Sequence, residues 1–256
     1  MKRPVLHALV LASLLAASAA ARAEWSVNAQ IERFHWNEQL SPPPDVNENG
    51  GRAGVGLTWT QDGDYGFRLR YRGTLYAGSV KYSGQQLITH VPAQATSDYA
   101  GIVNEIHGLY RPTSQSWFQL VAGLGWDYWQ RTLPFTSQRE DWSVVFARFG
   151  LETRTWLKRG WFAGAGVKFP LHTDQDAHFV DQGFDQNPHL NPGRELSGYA
   201  ELGYRLSGHW KVTGYYDSYR FAQSPNVFLT SGSSAFVAWQ PRSSMDVLGL
   251  RLDYYF

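Results

Sequence analysis

Alternation of apolar and polar residues is the dominant pattern along this chain. From Tyr65 to Leu75 the apolar side chains occupy one side of an extended strand, and three arginines occupy the other. Apolar residues alternate in the same way between Phe118 and Tyr128. Further runs of this kind lie at 145–154, 163–171, 199–206 and 210–217. Such alternation predicts β-strands with one apolar and one polar face.

The connections between these runs alternate in length. Short turns are predicted at 61–64, 111–115, 158–160 and 207–209, and longer polar stretches at 37–50, 77–98, 130–141, 172–194 and 222–242. Short connections on one rim and long ones on the other are typical of a transmembrane β-barrel. About ten strands of roughly 9 to 13 residues would be long enough to cross a bilayer when tilted. We therefore predict an all-β, antiparallel up-and-down transmembrane barrel of about ten strands, with eight or twelve as alternatives.

Aromatic residues mark the predicted short-turn rim. The chain has 15% aromatic residues, including 11 Trp and 14 Tyr. Pairs flank the short turns and the two ends of the predicted barrel: Trp59 and Tyr65, Tyr110 and Trp117, Trp156 and Trp161, Tyr204 and Trp210, and Trp25 and Phe256. Trp and Tyr favour the headgroup layer of a membrane. A soluble β-sandwich or lipocalin-like barrel would bury its apolar face inwards and would need no such belt.

The first residues predict export. Lys2 and Arg3 precede an apolar run from Val5 to Ala17, and small residues at 21–23 suit a signal peptidase. This predicts a signal peptide at 1–23 and a mature barrel domain at 24–256. The apolar run is shorter than the roughly 20 residues of a transmembrane helix. The chain has 0 Cys, which excludes disulfides and thiol metal sites, and a net charge of +1, which gives no basic patch for nucleic acid.

The last strand carries the most specific motif. Leu250, Leu252, Tyr254 and Phe256 share one face of a strand that ends at the final residue. This pattern resembles the C-terminal signature of outer-membrane β-barrel proteins of Gram-negative bacteria. The resemblance implies export through the periplasm to the outer membrane, and contact with outer-membrane lipids and lipopolysaccharide. It also implies that the barrel-assembly machinery reads these four residues as a signal. It names a class of protein and leaves the activity open.

Polar strand faces should line the lumen, because lipid surrounds the other face. In a barrel of about ten strands, long side chains should largely fill that lumen. The arginines at positions 68, 70 and 72 suggest either an anion path or binding surface, or an ion network with Glu105, Glu152 and Glu201. We favour the ion network. The candidate ligand-binding residues under the first interpretation are Arg68, Arg70, Arg72, Arg148 and Arg154.

The segment His172–Arg194 holds three histidines and four aspartates. These residue types suit a divalent cation, or an Asp–His pair that activates water. Outer-membrane proteases of the omptin family hydrolyse peptides at the extracellular rim, but the analogy rests on strand number alone. We favour a hydrated acidic surface loop, and we assign no metal, cofactor or catalytic residue.

These observations predict a small outer-membrane barrel with a largely filled, charge-lined lumen and a structural or surface-interaction role. Two alternatives stay open. One is a rim hydrolase acting on lipid or peptide, and the other is a narrow anion-permeable pore.

Overall fold

Fourteen strands make up the computed structural model, which describes residues 23–86, 89–133 and 138–256. In chain order they are β1 (Ala23–Glu38), β2 (Val46–Gln61), β3 (Gly66–Gln85), β4 (Pro92–Arg111), β5 (Phe118–Leu133), β6 (Gln138–Thr153), β7 (Gly160–Ala177), β8 (His189–Leu190), β9 (Gly193–Glu195), β10 (Ser197–Arg205), β11 (Trp210–Ala222), β12 (Val227–Ser231), β13 (Ser234–Ala238) and β14 (Ser243–Tyr255). A 3-10 turn covers Phe179–Gln182.

Ten of these strands close into one antiparallel barrel: β1 to β7, β10, β11 and β14. Each pairs with the next along this series, β7 pairs with β10, and β14 pairs with β1. The last pairing runs from Ser26 opposite Tyr255 to Glu38 opposite Ser243, so neither the first nor the last barrel strand leaves an open edge. The predicted fold class and strand number are confirmed.

The two ends of the barrel differ as the sequence predicted. Residues 62–65, 112–117, 154–159 and 206–209 connect strands at the end where Ala23 and Tyr255 lie, which we call the turn end. The opposite end, the loop end, carries β8, β9, the β12–β13 hairpin and the 3-10 turn. Tyr65, Trp117, Trp161 and Phe256 are strongly exposed near the turn end, as expected of an aromatic belt.

The polarity of the barrel wall changes along the long strands, as β1 shows. In the half nearer the turn end the outward residues are apolar, and the inward ones are polar. On β1 the outward Val27 and Ile31 are exposed, whereas the inward Gln30 is buried. Nearer the loop end, Arg33 and His35 face outwards, and Phe34 and Trp36 are buried inside. The outward apolar zone, which we call the apolar band, suits lipid, and the loop end suits water on its outside.

The predicted sidedness is confirmed within the apolar band. Leu69, Leu120, Val167 and Leu202 are exposed on the outer wall, with fractions from 38% to 59%. The lumen residues Arg70, Glu152 and Glu201 alternate with such positions on the inner wall.

Two predicted loops were wrong in extent. The polar stretches 77–98 and 130–141 are largely strand, because β3 continues to Gln85, β4 begins at Pro92, and β5 and β6 reach Leu133 and Gln138. Barrel strands therefore reach 20 residues, rather than the 13 expected. These segments have the polar composition of loops because the outward residues of a strand that extends beyond the bilayer face water and can be polar.

Of the predicted signal peptide, residues 1–22 lie outside the described residues. Within the described ranges, no helix is both long and apolar enough to span a membrane.

Candidate functional site

The arginines of β3 are paired across the lumen. Arg70 donates two hydrogen bonds to Glu152, at 2.5 and 3.0 Å, and Arg72 donates to Glu201 at 2.7 Å. Glu152 and Glu201 stand on β6 and β10, so the pairs cross the barrel interior instead of linking adjacent strands. The guanidiniums and carboxylates are almost fully buried. This geometry matches the ion network that the sequence favoured.

The other candidate arginines differ in their surroundings. Arg148 extends the network, with its Nη1 atom 2.6 Å from Glu105 Oε1. Arg68 has no carboxylate within 4.0 Å among the described residues, and it donates to Gln119 Oε1 at 2.5 Å. Arg154 is not on the lumen wall. It lies exposed in the turn after β6 with a positive φ of 56°, because β6 ends at Thr153.

An aromatic layer lies above this network, towards the loop end. It comprises Phe34, Trp36, Trp129, Trp142 and Phe221, each no more than 1% exposed. The rings of Trp129 and Trp142 are stacked at a centroid distance of 5.3 Å, and Trp36 meets Trp142 edge-on at 5.3 Å. Close-packed rings leave no room for a continuous water column at this level.

The sequence interpretation missed this layer, although a signal for it was present. Within single strands, the apolar residues switch between odd and even positions, from Ile31 to Phe34 on β1 and from Tyr128 to Trp129 on β5. Successive side chains of a strand point to opposite faces. A switch between odd and even positions therefore moves the apolar residues from the outer wall to the lumen.

A cavity of about 330 Å³ opens above the aromatic layer at the loop end. We call it the mouth cavity. Its apolar walls come from strand ends, from the segment after β7 and from the β12–β13 hairpin, and they include Leu40, Val46, Phe184, Leu190, Leu229 and Trp239. The volume lies within the range of small-molecule sites.

The roof of the mouth cavity comprises residues 178–196 and the β12–β13 hairpin. Its own apolar core includes Phe179, Phe184 and Leu229. Asp185 and Thr230 join the two parts, because each backbone N–H donates to an oxygen of the other residue, at 2.9 and 2.7 Å. The hydrogen bond from the Thr230 N–H is the main cause that lowers the pKa of the Asp185 carboxyl below its ordinary value.

The floor of the cavity holds one guanidinium, Arg131, with the carboxylates of Glu38 and Glu140 beside it and that of Glu48 buried beneath the lining. Arg131 lies 2.9 Å from Glu48, 3.0 Å from Glu140 and 3.3 Å from Glu38. All four side chains are at least nine-tenths buried. Trp36 and Trp142 of the aromatic layer donate their indole N–H to Glu38 and Glu140, at 2.8 and 3.2 Å.

Glutamines around the cavity have amide atoms without a hydrogen-bond partner. Oε1 of Gln85, Oε1 of Gln175 and Nε2 of Gln240 are buried and unpaired among the described residues, and all three glutamines line the cavity. Gln175 and Gln240 are only 2% and 4% exposed. Buried polar groups are normally hydrogen-bonded, so these three atoms, like other unpaired lumen atoms such as Ser26 Oγ and Thr213 Oγ1, call for a polar partner, a ligand or water.

The segment 172–194 is more ordered than the hydrated loop that we favoured. β7 runs through Ala177, and His178 lies 2.9 Å from Asp141, with Asp176 at 3.8 Å. His189 lies 3.2 Å from Asp174 on the exposed surface. No cluster of three or more metal-ligand side chains occurs in the part of the chain that the structure describes.

The four residues of the terminal motif lie on the outer wall. Leu250, Leu252, Tyr254 and Phe256 are exposed by 39% to 66%, within the apolar band or at its turn-end edge. The Phe256 N–H donates to the carbonyl of Trp25 at 3.1 Å, which ties the last residue to β1.

No protein-family model matches this sequence, and no curated protein matches it. Solved structures match it in fold. The outer membrane protease OmpT from Escherichia coli is 10% identical with a TM-score of 0.51, and the alignment covers 91% of this chain and 96% of that one. The translocator domain of the autotransporter NalP from Neisseria meningitidis is 12% identical, with a TM-score of 0.46 and coverages of 98% and 96%. The transport unit of the autotransporter AIDA-I from Escherichia coli is 10% identical, with a TM-score of 0.47 and coverages of 90% and 90%.

At this identity the likeness to OmpT concerns the fold alone. The chain has the fold of an outer-membrane β-barrel, as its alternation and its terminal strand predicted. The narrower family is not named by any of these matches.

Proposed function

We propose that this protein is a closed outer-membrane barrel that binds a small molecule at the cell surface, in its mouth cavity. The observation that carries the proposal is the cavity of about 330 Å³ itself, whose apolar walls meet three glutamines with buried, unpaired amide atoms. A cavity that served only to close the barrel would gain stability from apolar or paired residues at these positions. A ligand that supplies the missing hydrogen bonds offsets the cost of burying these unpaired amide atoms.

In this proposal the barrel is the support for the site. The paired lumen charges and the aromatic layer close the interior below the cavity, so a ligand entering from the loop end stops there. We propose that the loop end faces the outside of the cell and that outer-membrane lipids and lipopolysaccharide surround the wall. This assigns the finer function to surface interaction, in preference to conduction or a purely structural role.

A thermal-shift screen of the detergent-folded protein tests the proposal. The panel holds small amphiphiles with positive, neutral and negative head groups at millimolar concentration. A ligand that binds only the folded state raises its stability by about 2.7 kcal/mol at 100 times the dissociation constant. We expect at least one class to raise the unfolding temperature of the wild type and to leave Leu190→Trp, which fills the cavity, unchanged. No shift with any class would refute a binding role for the cavity.

Rim hydrolysis is a second candidate function, and the Asp141–His178 pair is the observation that favours it. Such a pair can orient a histidine as a general base. However, Asp141 also accepts hydrogen bonds from Arg139 at 2.6 Å and from Gln130 at 2.9 Å. These contacts also suit a structural link between β5, β6 and the roof. Loss of lipid or peptide hydrolysis in His178→Gln, with the fold intact, would support a catalytic role for His178 and count against a purely structural one.

A further inference from the structure

The mouth cavity has an excess of negative charge at its floor. Glu38, Glu48 and Glu140 surround Arg131, and neither a lysine nor a second arginine lines the cavity within the described residues. Carboxylates removed from bulk water are unfavourable unless a cation or a proton neutralises them. One guanidinium neutralises one of the three charges, so the floor needs a proton or a second cation to balance the rest.

Two of the three unpaired glutamine atoms around the cavity are hydrogen-bond acceptors. The Gln85 amide nitrogen donates to the carbonyl of Pro42 at 3.2 Å, which leaves its Oε1 as the free atom. Gln175 Oε1 is also free, and Glu38 Oε2 receives no hydrogen bond from the described residues. Among the described residues that line the cavity, Gln240 supplies the one unpaired buried donor. A ligand head group rich in N–H donors complements this set.

The walls of the same cavity select an apolar body. Phe184, Leu190 and Leu229 of the roof face strand-end residues such as Val46. A charged head without an apolar body would leave this surface in contact with water, and burial of an apolar body contributes about 25 cal/mol per Å².

We infer that the mouth cavity binds a small organic cation, a protonated primary amine on an apolar or aromatic body. This inference rests on the proposed binding function and specifies its ligand class. The ammonium lies at the floor beside Glu38 and donates to the free carboxylate oxygen, the Gln175 amide offers a second acceptor after its side chain turns towards the cavity, and the apolar body lies under the roof.

Isothermal titration of the detergent-folded full chain with three probes of similar size tests the inference. The probes are 2-phenylethylammonium, 2-phenylethanol and 3-phenylpropionate. We expect the ammonium to bind at least tenfold more tightly than the alcohol, and the carboxylate to show no binding. A wild type that prefers the alcohol or the carboxylate would overturn the cation assignment and leave the binding function standing. No binding of any probe would overturn both.

Variants identify the residues responsible. Glu38→Gln should remove the preference for the ammonium over the alcohol, and Gln175→Leu should weaken ammonium binding several-fold. Gln175 Oε1 accepts no hydrogen bond from the described residues, so this second variant breaks no hydrogen bond to that oxygen and should disturb the fold less than Glu38→Gln. Asp98→Asn is the matched control, since Asp98 is an exposed carboxylate on the outer wall near the loop end. Equal losses in Asp98→Asn and Glu38→Gln would refute the assignment to the cavity floor.

Discussion

At the scale of single residues, the buried ion pairs of the lumen carry the clearest energetic consequences. Glu152 is the acceptor for two hydrogen bonds from Arg70, and it also accepts one from Gln119 at 2.8 Å. The two side chains of the pair are each only 7% exposed. Removal of one partner therefore lowers the stability of the fold by more than the intact pair contributes, because the other charge stays buried without a partner.

Glu152→Gln should lower the stability of the folded barrel by about 3 to 5 kcal/mol, because it leaves the Arg70 guanidinium buried without a counter-charge. The measurement is the unfolding temperature in detergent. Asp181→Asn, on the exposed surface of the roof, serves as control and should change little. Similar losses in both variants would show that the lumen network contributes no special stability.

Asp185 links the roof through the Thr230 N–H, and its pKa is lowered by that bond. A carboxyl with a lowered folded-state pKa contributes stability above its unfolded value, and this contribution is lost as the pH falls through the folded-state pKa. Asp185→Ala should therefore speed hydrogen exchange of the Thr230 amide at pH 7, and the difference from wild type should shrink only as the pH falls below the ordinary carboxyl pKa of 3.8, through the lower folded-state pKa. Equal exchange rates at neutral pH would contradict this role.

At the scale of elements, each strand belongs to two environments. On β5 the outward Leu124 lies in the apolar band and is 60% exposed, whereas the outward Gln130 lies nearer the loop end. The strand is continuous between them. Depth relative to the bilayer, and not strand identity, therefore decides which residues the outer wall tolerates.

Leu124→Arg should destabilise the barrel in lipid vesicles by about 2 to 4 kcal/mol, the cost of a lipid-facing arginine near the midplane. Gln130→Arg, six residues further along the same face, should cost much less, because water surrounds that part of the wall. Denaturant unfolding in vesicles measures both. A similar cost at the two positions would place lipid around the loop end as well.

The β14–β1 pairing closes the barrel, and Phe256 is bonded to Trp25 at its edge. Deletion of Phe256, or Phe256→Asp, should reduce the amount of heat-modifiable barrel in outer membranes, since both the closing strand and the predicted assembly signal are damaged. Tyr255→Phe is a mild neighbouring control. Full insertion of the deletion variant would show that Phe256 is not required in the assembly signal.

At the scale of the whole molecule, the interior is closed at two levels. A cavity of only about 100 Å³ remains among the side chains of the ion network, lined by Arg72, Glu105 and Arg148 among others. Pores of 16 to 18 strands enclose an aqueous channel, whereas barrels near ten strands are filled by their own side chains.

We therefore expect no discrete conductance steps from the wild-type barrel in a planar bilayer, with chloride or with larger anions. Arg70→Ala tests the anion-pore alternative directly. If the wild type conducts anions and Arg70→Ala does not, the arginines of β3 form a path and the structural interpretation is wrong.

The local alternation of residues was sufficient to predict the barrel architecture and the face on which many of the wall residues lie. Alternation is a property of neighbouring residues, so Leu69 and Arg70 could be assigned to opposite faces without any knowledge of their partners. The presence of ion pairs in the lumen also followed, because unpaired charges away from water are unfavourable. These parts of the fold were determined by the sequence itself.

The tertiary structure decided the pairings and the site. Arg72 lies beside Glu105 in the β3–β4 register, yet it bonds to Glu201 on β10, 129 residues away. The mouth cavity brings together Glu38, Arg131 and Gln240 from distant parts of the chain. Alternation fixes the face of each residue but carries no information about which residues meet across a closed barrel, because that depends on the register of every strand between them.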